Sequence, residues 1–177
     1  MSDPAFVYNF PNPFGLSGTG LNASYVLVDI DGDSDFDAFV GNDSGNTLFY
    51  RNTGTANNPA FATPETNPFG LSNVGSDAKP FFVDIDGDDD LDAFVGNYAG
   101  NMLFFSNTGS ANHPVFAAAS TNPFGLSNVD NFARPTFADI DGDGDFDAFV
   151  GKIGSSGNLV FFQNTGTANS PAFAVAD

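Results

Sequence analysis

The sequence predicts an all-β protein made of three similar four-stranded units, and three observations support this prediction. The run Pro-Phe-Gly-Leu-Ser begins at Pro13, Pro68 and Pro123, so the chain repeats every 55 residues. Runs of five or six residues rich in Phe and Val alternate with Gly, Asn and Pro, a pattern typical of strands joined by turns. No segment sustains the 3.6-residue apolar period of an amphipathic helix.

The second unit shows the predicted elements in chain order. The apolar run 79–84 is the first strand and enters an acidic loop, and 91–96 leaves that loop as the second strand. Residues 101–106 are the third strand and 114–118 the fourth, before the loop 122–127 leads to the next unit. Since several runs are apolar on both faces, we expect them to be buried between neighbouring sheets, with the 22 Phe side chains as filler.

Four strands in about 55 residues match the size of a β-propeller blade. We therefore divide the chain into an outer strand plus connector at 1–17 and three blades at 18–72, 73–127 and 128–177. Closed propellers have about four to eight blades, so three are too few for a ring. A β-trefoil, which also has three four-stranded units, is the alternative that would close as a monomer.

The unclosed blade number predicts that the chain associates with itself. Three open blades would leave an apolar face at each end and an unpaired strand edge. The fourth-strand sequence also occurs once more at 4–6, ahead of the first blade, where it could complete a blade of a neighbouring chain. We expect a homo-oligomer, with a dimer of six blades favoured.

The charge balance excludes several classes of partner. The chain has 22 acidic and 4 basic residues, which gives a formal net charge of −18. Such a field repels phosphate backbones and anionic lipid surfaces, so we do not expect nucleic-acid binding. No apolar stretch is long enough to span a bilayer, so membrane insertion is not expected either. The absence of cysteine excludes disulfides and thiolate sites.

Most of the acidic residues form three short clusters. Sixteen of the 22 lie in the nine-residue windows 29–37, 84–92 and 139–147, with Asp at positions 1, 3, 5, 7 and 9 and Gly at position 4. Alternating short carboxylates can fold around one hard cation, and calcium, which takes about six to eight oxygen ligands, fits best. Magnesium is less suited because it demands octahedral geometry and retains water. Zinc is disfavoured because the only histidine, His113, lies outside the windows.

The helix–loop–helix calcium motif shares the opening of this pattern but differs from it at two points. That motif requires a bidentate acid at position 12 and flanking helices. Position 12 is valine in all three windows, and the predicted flanks are strands. The expected closing ligand is position 9 instead, which is Asp37, Asp92 or Asp147 at the start of the outgoing strand.

The motif Asp-x-Asp-x-Asp-x-x-x-Asp followed by Ala-Phe-Val-Gly resembles the calcium loop of FG-GAP/VCBS-type repeats, the blades of integrin-α-like propellers. The Phe-Gly-x-Ser element of that family is similar to the runs that begin at Phe14, Phe69 and Phe124. The resemblance covers nearly the whole chain. It implies one Ca²⁺ per loop, three per chain, held by positions 1, 3, 5 and 9 and by the position-7 carbonyl. The implied metal-binding residues are Asp29, Asp31, Asp33, Asp35 and Asp37; Asp84, Asp86, Asp88, Asp90 and Asp92; and Asp139, Asp141, Asp143, Asp145 and Asp147.

Three features depart from the family pattern. Position 6, usually Gly in the family, is Ser34, Asp89 or Gly144, so we expect loop strain and calcium affinity to differ between the sites. The segment between Phe-Gly and the acidic loop is longer than the family implies. The number of repeats is also below that of a closed ring.

The sequence does not predict an enzyme. The only candidate base for a nucleophilic triad is His113, which lies in a turn whose equivalent residues are Asn58 and Ser170. The loop aspartates would be held ionised as calcium ligands, which leaves no acid–base pair with separated pKa values.

The sequence is compatible with three functions in which the chain itself is not a catalyst. The first is a calcium-binding structural scaffold or interaction module that assembles with itself, for example a fragment of a longer array or an engineered piece. The second is a cell-surface adhesion or glycan-binding propeller domain with a protein or glycan ligand. The third is a non-catalytic accessory domain of a secreted enzyme. We expect the parent protein to be extracellular or at the cell surface, with its export signal outside this chain.

Overall fold

The structure, a computed structural model, describes residues 13–17, 19–153 and 159–175. These residues form three four-stranded antiparallel sheets. Sheet 1 consists of β1 (Ser24–Val28), β2 (Asp37–Gly41), β3 (Thr47–Tyr50) and β4 (Glu65–Thr66). Sheet 2 consists of β5 (Lys79–Val83), β6 (Asp92–Gly96), β7 (Met102–Phe105) and β8 (Ser120–Thr121). Sheet 3 consists of β9 (Arg134–Ala138), β10 (Asp147–Gly151), β11 (Leu159–Asn164) and β12 (Phe173–Val175). Within the described ranges, no helix has the length and apolarity needed to cross a membrane.

Each sheet is built by a single repeat, with its strands paired in chain order. Lys79 pairs with Gly96 in sheet 2, and the residues 55 positions earlier and later form the same pair in sheets 1 and 3. The repeat of the sequence is therefore a repeat of strand register. The prediction of an all-β chain with three four-stranded units is confirmed, and this organisation agrees with blade-like repeats rather than with a trefoil, whose repeats share one barrel. Ring closure and oligomerisation remain predictions.

The fourth strand differs from its prediction in sheets 1 and 2. In sheet 2 the predicted strand 114–118 makes one isolated bridge, between Phe116 and Asn107, and regular pairing with β7 resumes only at β8. In sheet 1 the equivalent segment 59–61 makes one isolated bridge, between Phe61 and Asn52, and regular pairing with β3 resumes only at β4. Residues 62–64 lie opposite residues 50–51, so this edge strand carries a one-residue bulge. The exposed Glu-Thr pair of β4 has no apolar pattern that would mark it as a strand. In sheet 3, β12 pairs regularly with β11 from Phe173 to Val175, where the described residues end, and the predicted strand at 4–6 lies outside the described residues.

The sheets stack through their first strands, since β5 lies between β1 and β9. The backbones approach closely at the ends of these strands. The Ala133 N–H donates to the Asn97 carbonyl at 3.0 Å, which links sheet 3 to sheet 2, and the Ala78 N–H makes the equivalent bond between sheets 2 and 1. A Cβ atom on Gly96 would collide with the carbonyl oxygen of Ala133. Glycine is required here by the proximity of two backbones.

Phenylalanine rings fill the space between the sheets, as the sequence predicts. Phe39 of β2 contacts Phe82 of β5 with a centroid distance of 4.4 Å, and Phe94 of β6 contacts Phe137 of β9 at 4.5 Å. The two cores between sheets 1 and 2 and between sheets 2 and 3 therefore use equivalent residues. A third, smaller apolar cluster lies on the opposite face of sheet 1, around the buried side chain of Tyr50.

The Pro-Phe-Gly turns join each sheet to the one before it. Phe69 adopts a left-handed φ of 59°, which directs its ring against Phe49 of sheet 1 at a centroid distance of 5.0 Å. Its carbonyl accepts a hydrogen bond of 2.7 Å from the N–H of Phe116 in the second repeat. Phe124 makes the equivalent ring contact with Phe104 of sheet 2, also at 5.0 Å. The recurrent Phe-Gly motif thus has a packing function between repeats.

Candidate metal centres

The three acidic loops connect the first and second strands of each sheet, as the resemblance implies. In each loop, carboxylate oxygens from positions 1, 3 and 5 all lie within 4.8 Å of one another. The three triplets are Asp29, Asp31 and Asp33; Asp84, Asp86 and Asp88; and Asp139, Asp141 and Asp143. Because calcium–oxygen distances are about 2.3–2.6 Å, ligands on opposite sides of one ion are about 4.6–5.2 Å apart. Each triplet therefore has the dimensions of one calcium coordination sphere.

Backbone hydrogen bonds fold each loop around its position-1 carboxylate. In the second loop, Asp84 accepts the N–H of Gly87 at 2.8 Å and the N–H of Asp89 at 3.1 Å. The first and third loops make the same two bonds. Asp88, at position 5, accepts the N–H of Asp90 at 3.1 Å. These bonds hold several like charges in one small loop, an arrangement that their mutual repulsion opposes.

The position-9 carboxylates are buried at the first residue of the second strand. They belong to Asp37, Asp92 and Asp147. One oxygen of each accepts a backbone N–H from the asparagine of the Asn-Thr-Gly run, at distances of 2.6–2.7 Å. The other oxygen, Oδ2, is buried and has no hydrogen-bond partner among the described residues. Each position-9 carboxylate is therefore fixed by one oxygen and leaves the other for a further interaction.

Buried oxygens without a partner recur in every loop. Among the described residues they are Oδ1 of Asp31, Asp35, Asp86, Asp90 and Asp145, and Oδ2 of Asp37, Asp92 and Asp147. About nine-tenths of buried polar groups in folded proteins are hydrogen-bonded, and leaving one unpaired costs about 1–3 kcal/mol, more when it is charged. Eight such oxygens in three loops have the arrangement expected of a metal site without its ion.

Burial and crowding raise the pKa of several loop carboxyls. Burial is the largest cause for Asp92, whose pKa rises to about 7, although the N–H of Asn107 opposes the rise. Burial likewise raises the pKa of Asp37 to about 6 and that of Asp90 to about 6, and neighbouring aspartates contribute in both cases. The direction of these shifts shows that burial and mutual repulsion disfavour ionisation of the loop carboxyls when no neutralising charge is present. A bound divalent cation would remove that cost.

The donor set of the loops suits calcium. The clustered side chains are all aspartates, so the ligand atoms that they offer are hard oxygens. Such oxygens favour calcium, magnesium or manganese over zinc or copper. Five aspartates in nine residues, together with backbone carbonyls, can supply the six to eight ligands, roughly, that calcium takes in flexible geometry. The residues present therefore fit the ion that the resemblance implies.

Position 6 has a left-handed backbone in all three loops. The φ angle is 73° at Ser34, 69° at Asp89 and 94° at Gly144. Glycine adopts this conformation freely, whereas another residue there is strained by roughly 1–2 kcal/mol. The expected difference in loop strain is therefore present: the first two loops are strained at this position and the third is not.

Two contacts to the loops are not evident from the sequence. Arg51 forms an ion pair with Oδ2 of Asp31 in the first loop, and Gln163 donates to Oδ2 of Asp141 at 3.1 Å in the third. Both occupy the position before the Asn-Thr-Gly run, where the second repeat has Ser106. The position holds Arg, Ser or Gln in the three repeats, a variability typical of solvent-exposed surface, so the sequence gives no sign of these contacts. The asparagines of the run itself are a signal that the sequence does contain, since they recur in every repeat.

The structure brings together positions 1, 3 and 5 of each loop and places the position-9 carboxylate at the adjoining strand. Position 7 contributes a buried side-chain oxygen in each loop, in addition to the carbonyl that the resemblance implies as a ligand. The role of all fifteen aspartates as ligands remains a prediction.

Residues 84–150 match the family model described as FG-GAP-like repeat. The matched segment runs from Asp84, the first aspartate of the second loop, to Val150 in β10, the strand that follows the third loop. It therefore includes two of the three acidic loops and confirms the resemblance to FG-GAP-type repeats. No curated protein matches the chain.

Proposed function

We propose that this chain, which carries an FG-GAP-like repeat over residues 84–150, binds one Ca²⁺ in each of its three acidic loops and acts as a structural, self-assembling scaffold or interaction module. The observation that carries the proposal is the convergence of buried, unpartnered carboxylate oxygens on three equivalent loops. An acidic turn without a metal would direct these oxygens into solvent. Here the position-9 aspartates are instead buried at the start of a core strand.

Calcium is proposed to stabilise the sheets as well as to occupy the loops. Two unit charges about 4 Å apart interact with roughly 1 kcal/mol in water and roughly 4 kcal/mol at an effective dielectric constant of 20. Each loop contains several such carboxylate pairs, so the metal-free state is destabilised by their repulsion. Because the loop joins the first two strands and its last aspartate begins the second, a bound ion would hold these strands in register.

The direct test is a calorimetric titration of chelator-treated protein with calcium. We expect three equivalents per chain and a melting temperature that rises with calcium concentration. Magnesium at the same concentration serves as the control and should produce a smaller rise, since it prefers octahedral sites with retained water. A titration that gives no heat, no defined stoichiometry and no thermal stabilisation would contradict the proposal.

Arg51 is expected to weaken the first site relative to the others. The guanidinium pairs with Asp31, so calcium must displace it or share this carboxylate with it. Exposed ion pairs are worth about 0.2–1 kcal/mol, so Arg51→Ser should raise the calcium affinity of the first loop about two- to fivefold. The measurement is calorimetry in an Asp84→Ala/Asp139→Ala background, in which only the first loop remains intact.

The second repeat provides a reciprocal control for this prediction. Ser106 occupies the position equivalent to Arg51, so Ser106→Arg in an Asp29→Ala/Asp139→Ala background should weaken the second loop by a similar factor. If neither substitution changes the calcium affinity, the ion pair with Asp31 does not compete with metal binding.

The proposed cellular setting follows from the proposed chemistry. Calcium modules of extracellular proteins commonly have dissociation constants near 10⁻⁴–10⁻³ M, about the level of calcium outside cells. We therefore place the parent protein outside the cell or at its surface. Its proposed partner is a second copy of the same chain, with a dimer of six sheets favoured, and we propose no catalytic activity for it.

A further inference from the structure

The first strands of the three repeats show which faces of the array are open. In β5 the side chains on both faces are largely covered, because sheet 2 lies between the other two. In β1 the residues at alternate positions, Tyr25 and Leu27, are exposed. In β9 the pattern is reversed: Pro135 and Phe137 are buried, and the residues of the other face are exposed. Since successive side chains of a strand point to opposite faces, sheets 1 and 3 present opposite faces to solvent.

The face of sheet 1 that carries Leu27, which we call the leading face, corresponds to the face by which sheet 2 contacts sheet 1. Among the described residues it is open at its first strand, whereas the β2 and β3 side chains of the same face are buried in the cluster around Tyr50. Leu27 is 55% exposed, whereas its equivalents Phe82 and Phe137 are 8% and 7% exposed. A pocket of about 430 Å³ lies on this face, lined by apolar side chains that include Leu27, Phe14 and Phe36. In the second repeat the corresponding space is filled by the rings of the preceding sheet.

The open face of sheet 3, which we call the trailing face, is formed by the same repeat positions as the face by which sheet 1 contacts sheet 2. Ile140 is 61% exposed, whereas its equivalents Ile30 and Ile85 are 1% and 2% exposed. Phe149 is only half-buried, although the ring at its position is fully buried in both preceding sheets. It still contacts Phe161 on its own sheet at a centroid distance of 4.7 Å. The trailing face therefore carries the ring pair that sheets 1 and 2 insert against the next sheet.

The internal interfaces define how the two open faces would meet. Phe82 of the leading face of sheet 2 contacts Phe39 of the trailing face of sheet 1, and Phe137 contacts Phe94 in the same way. Leu27 is equivalent to Phe82 and Phe137, and Phe149 is equivalent to Phe39 and Phe94. A further contact of the same kind would therefore join Leu27 to Phe149. Both partners exist in the chain, but they lie at opposite ends of the array.

A second, independent contact shows the same gap in the series. In the internal interfaces, an asparagine of the following repeat covers the position-4 glycine of the preceding acidic loop. Asn112 lies against Gly32, and Asn169 lies against Gly87. The third glycine, Gly142, has no described residue within 4 Å of a Cβ built on it, and the first asparagine of the series, Asn57, is not among the residues that lie against a position-4 glycine. The asparagine without a glycine partner therefore lies in the first repeat, and the uncovered glycine lies in the third.

We infer that the leading face of one chain binds the trailing face of a second copy, in a head-to-tail interface that repeats the internal contacts between sheets. Leu27 would contact the second copy's Phe149 and Ile140 would be covered, while Asn57 would lie over the Gly142 of the neighbouring third loop. Two chains joined twice in this way give six sheets, which falls within the range of about four to eight blades of closed propellers. The inference rests on the self-association proposed above and specifies its surfaces.

A face-to-face dimer is the competing arrangement, and the structure disfavours it. Joining two leading faces would place Leu27 of one chain near Leu27 of the other and leave both trailing faces, with Ile140, in water. Neither internal interface joins two faces of the same kind. A head-to-tail interface is heterologous, and such interfaces generate closed rings when the rotation per copy permits.

Complementation between two variants tests the head-to-tail arrangement. Leu27→Asp places a charge in the leading face, and Thr136→Asp places one in the trailing face, where the exposed Thr136 is paired with Phe149. By light scattering in calcium, each variant alone should lose association, with the dissociation constant raised at least about a hundredfold. An equimolar mixture should recover dimers, because one intact leading face and one intact trailing face remain in the mixture. These dimers should not grow further, since their two outer faces are blocked.

The controls separate failure of this inference from failure of the proposed function. Val115 is 54% exposed in the middle repeat, away from both end faces, so Val115→Asp should leave association unchanged. Association that persists in Leu27→Asp, or a mixture that does not recover dimers, would overturn the inference while wild-type self-association stands. A wild-type chain that is monomeric at all concentrations would overturn self-association and this interface together. Calcium stoichiometry measured on the same variants reports on the metal sites independently, because Leu27 and Thr136 both lie outside the three acidic windows.

Discussion

The triple variant Asp29→Ala/Asp84→Ala/Asp139→Ala should lose almost all of the calcium-dependent rise in melting temperature. Each substitution removes the position-1 carboxylate, which belongs to a metal triplet and accepts two backbone N–H groups of its loop. A site that binds only the folded state stabilises it by about 2.7 kcal/mol at a hundredfold excess of ligand over Kd. Three independent sites would contribute roughly 8 kcal/mol, which is comparable with the entire stability of an ordinary domain.

The matched control for the triple variant removes three negative charges from positions outside the acidic loops. Asp43, Glu65 and Asp130 lie outside the three acidic windows, so replacing these three by alanine lowers the net negative charge equally. This control should keep the full response to calcium. Differential scanning calorimetry with and without a chelator measures both variants. A full calcium response in the loop variant, or an equal loss in the control, would show that the loops are not the sites.

The metal-free triple variant separates the two roles of the position-1 carboxylates. Removing them relieves repulsion with the neighbouring aspartates, but it also deletes the hydrogen bonds that fold the loop. The two effects oppose each other, so the melting temperature without calcium should change much less than the melting temperature with calcium. The calcium-dependent difference is therefore the quantity to compare.

The repeat made most of the fold predictable from the sequence. Three copies of one pattern allow each strand to be checked against its equivalents, and the acidic loops are marked by a composition that no core strand could tolerate unpaired. The fourth strands were the weakest part of the prediction, because β4 and β8 consist of two exposed polar residues each and follow a bulge. Edge strands of this kind are determined by pairing with the neighbouring strand, which the sequence does not display.

The candidate sites were predictable as clusters but not in their surroundings. Spacing alone indicates that positions 1, 3 and 5 converge, because the loop is too short to separate them. It does not reveal that Arg51 reaches Asp31, since the two residues are twenty positions apart and meet only through the pairing of β2 with β3. The sequence predicted one open apolar face at each end of the array. It did not show which side chains form these faces, because the alternation of a strand is ambiguous when both of its faces are apolar.

Phe94→Ala should destabilise the chain by about 3–5 kcal/mol, the usual cost of deleting a fully buried aromatic ring. The ring of Phe94 is completely buried, with centroids 4.8 Å from Phe104 on its own sheet and 4.5 Å from Phe137 on the next. Its removal leaves a cavity between sheets 2 and 3 that neighbouring β-strands cannot close without breaking their register. For a domain of this size the loss corresponds to a fall in melting temperature of roughly 6–20 °C.

The equivalent residue Phe149 provides the control, since it contacts Phe161 but lacks a ring from a following sheet. In the Leu27→Asp background, where we expect separate chains, Phe149→Ala should cost clearly less than Phe94→Ala, because part of its ring already faces water. In the associated wild-type protein the same substitution should weaken self-association as well. Equal destabilisation by the two substitutions in the separate chains would show that the trailing face is covered by the chain itself, which would contradict the open-ended array on which ring closure by two copies depends.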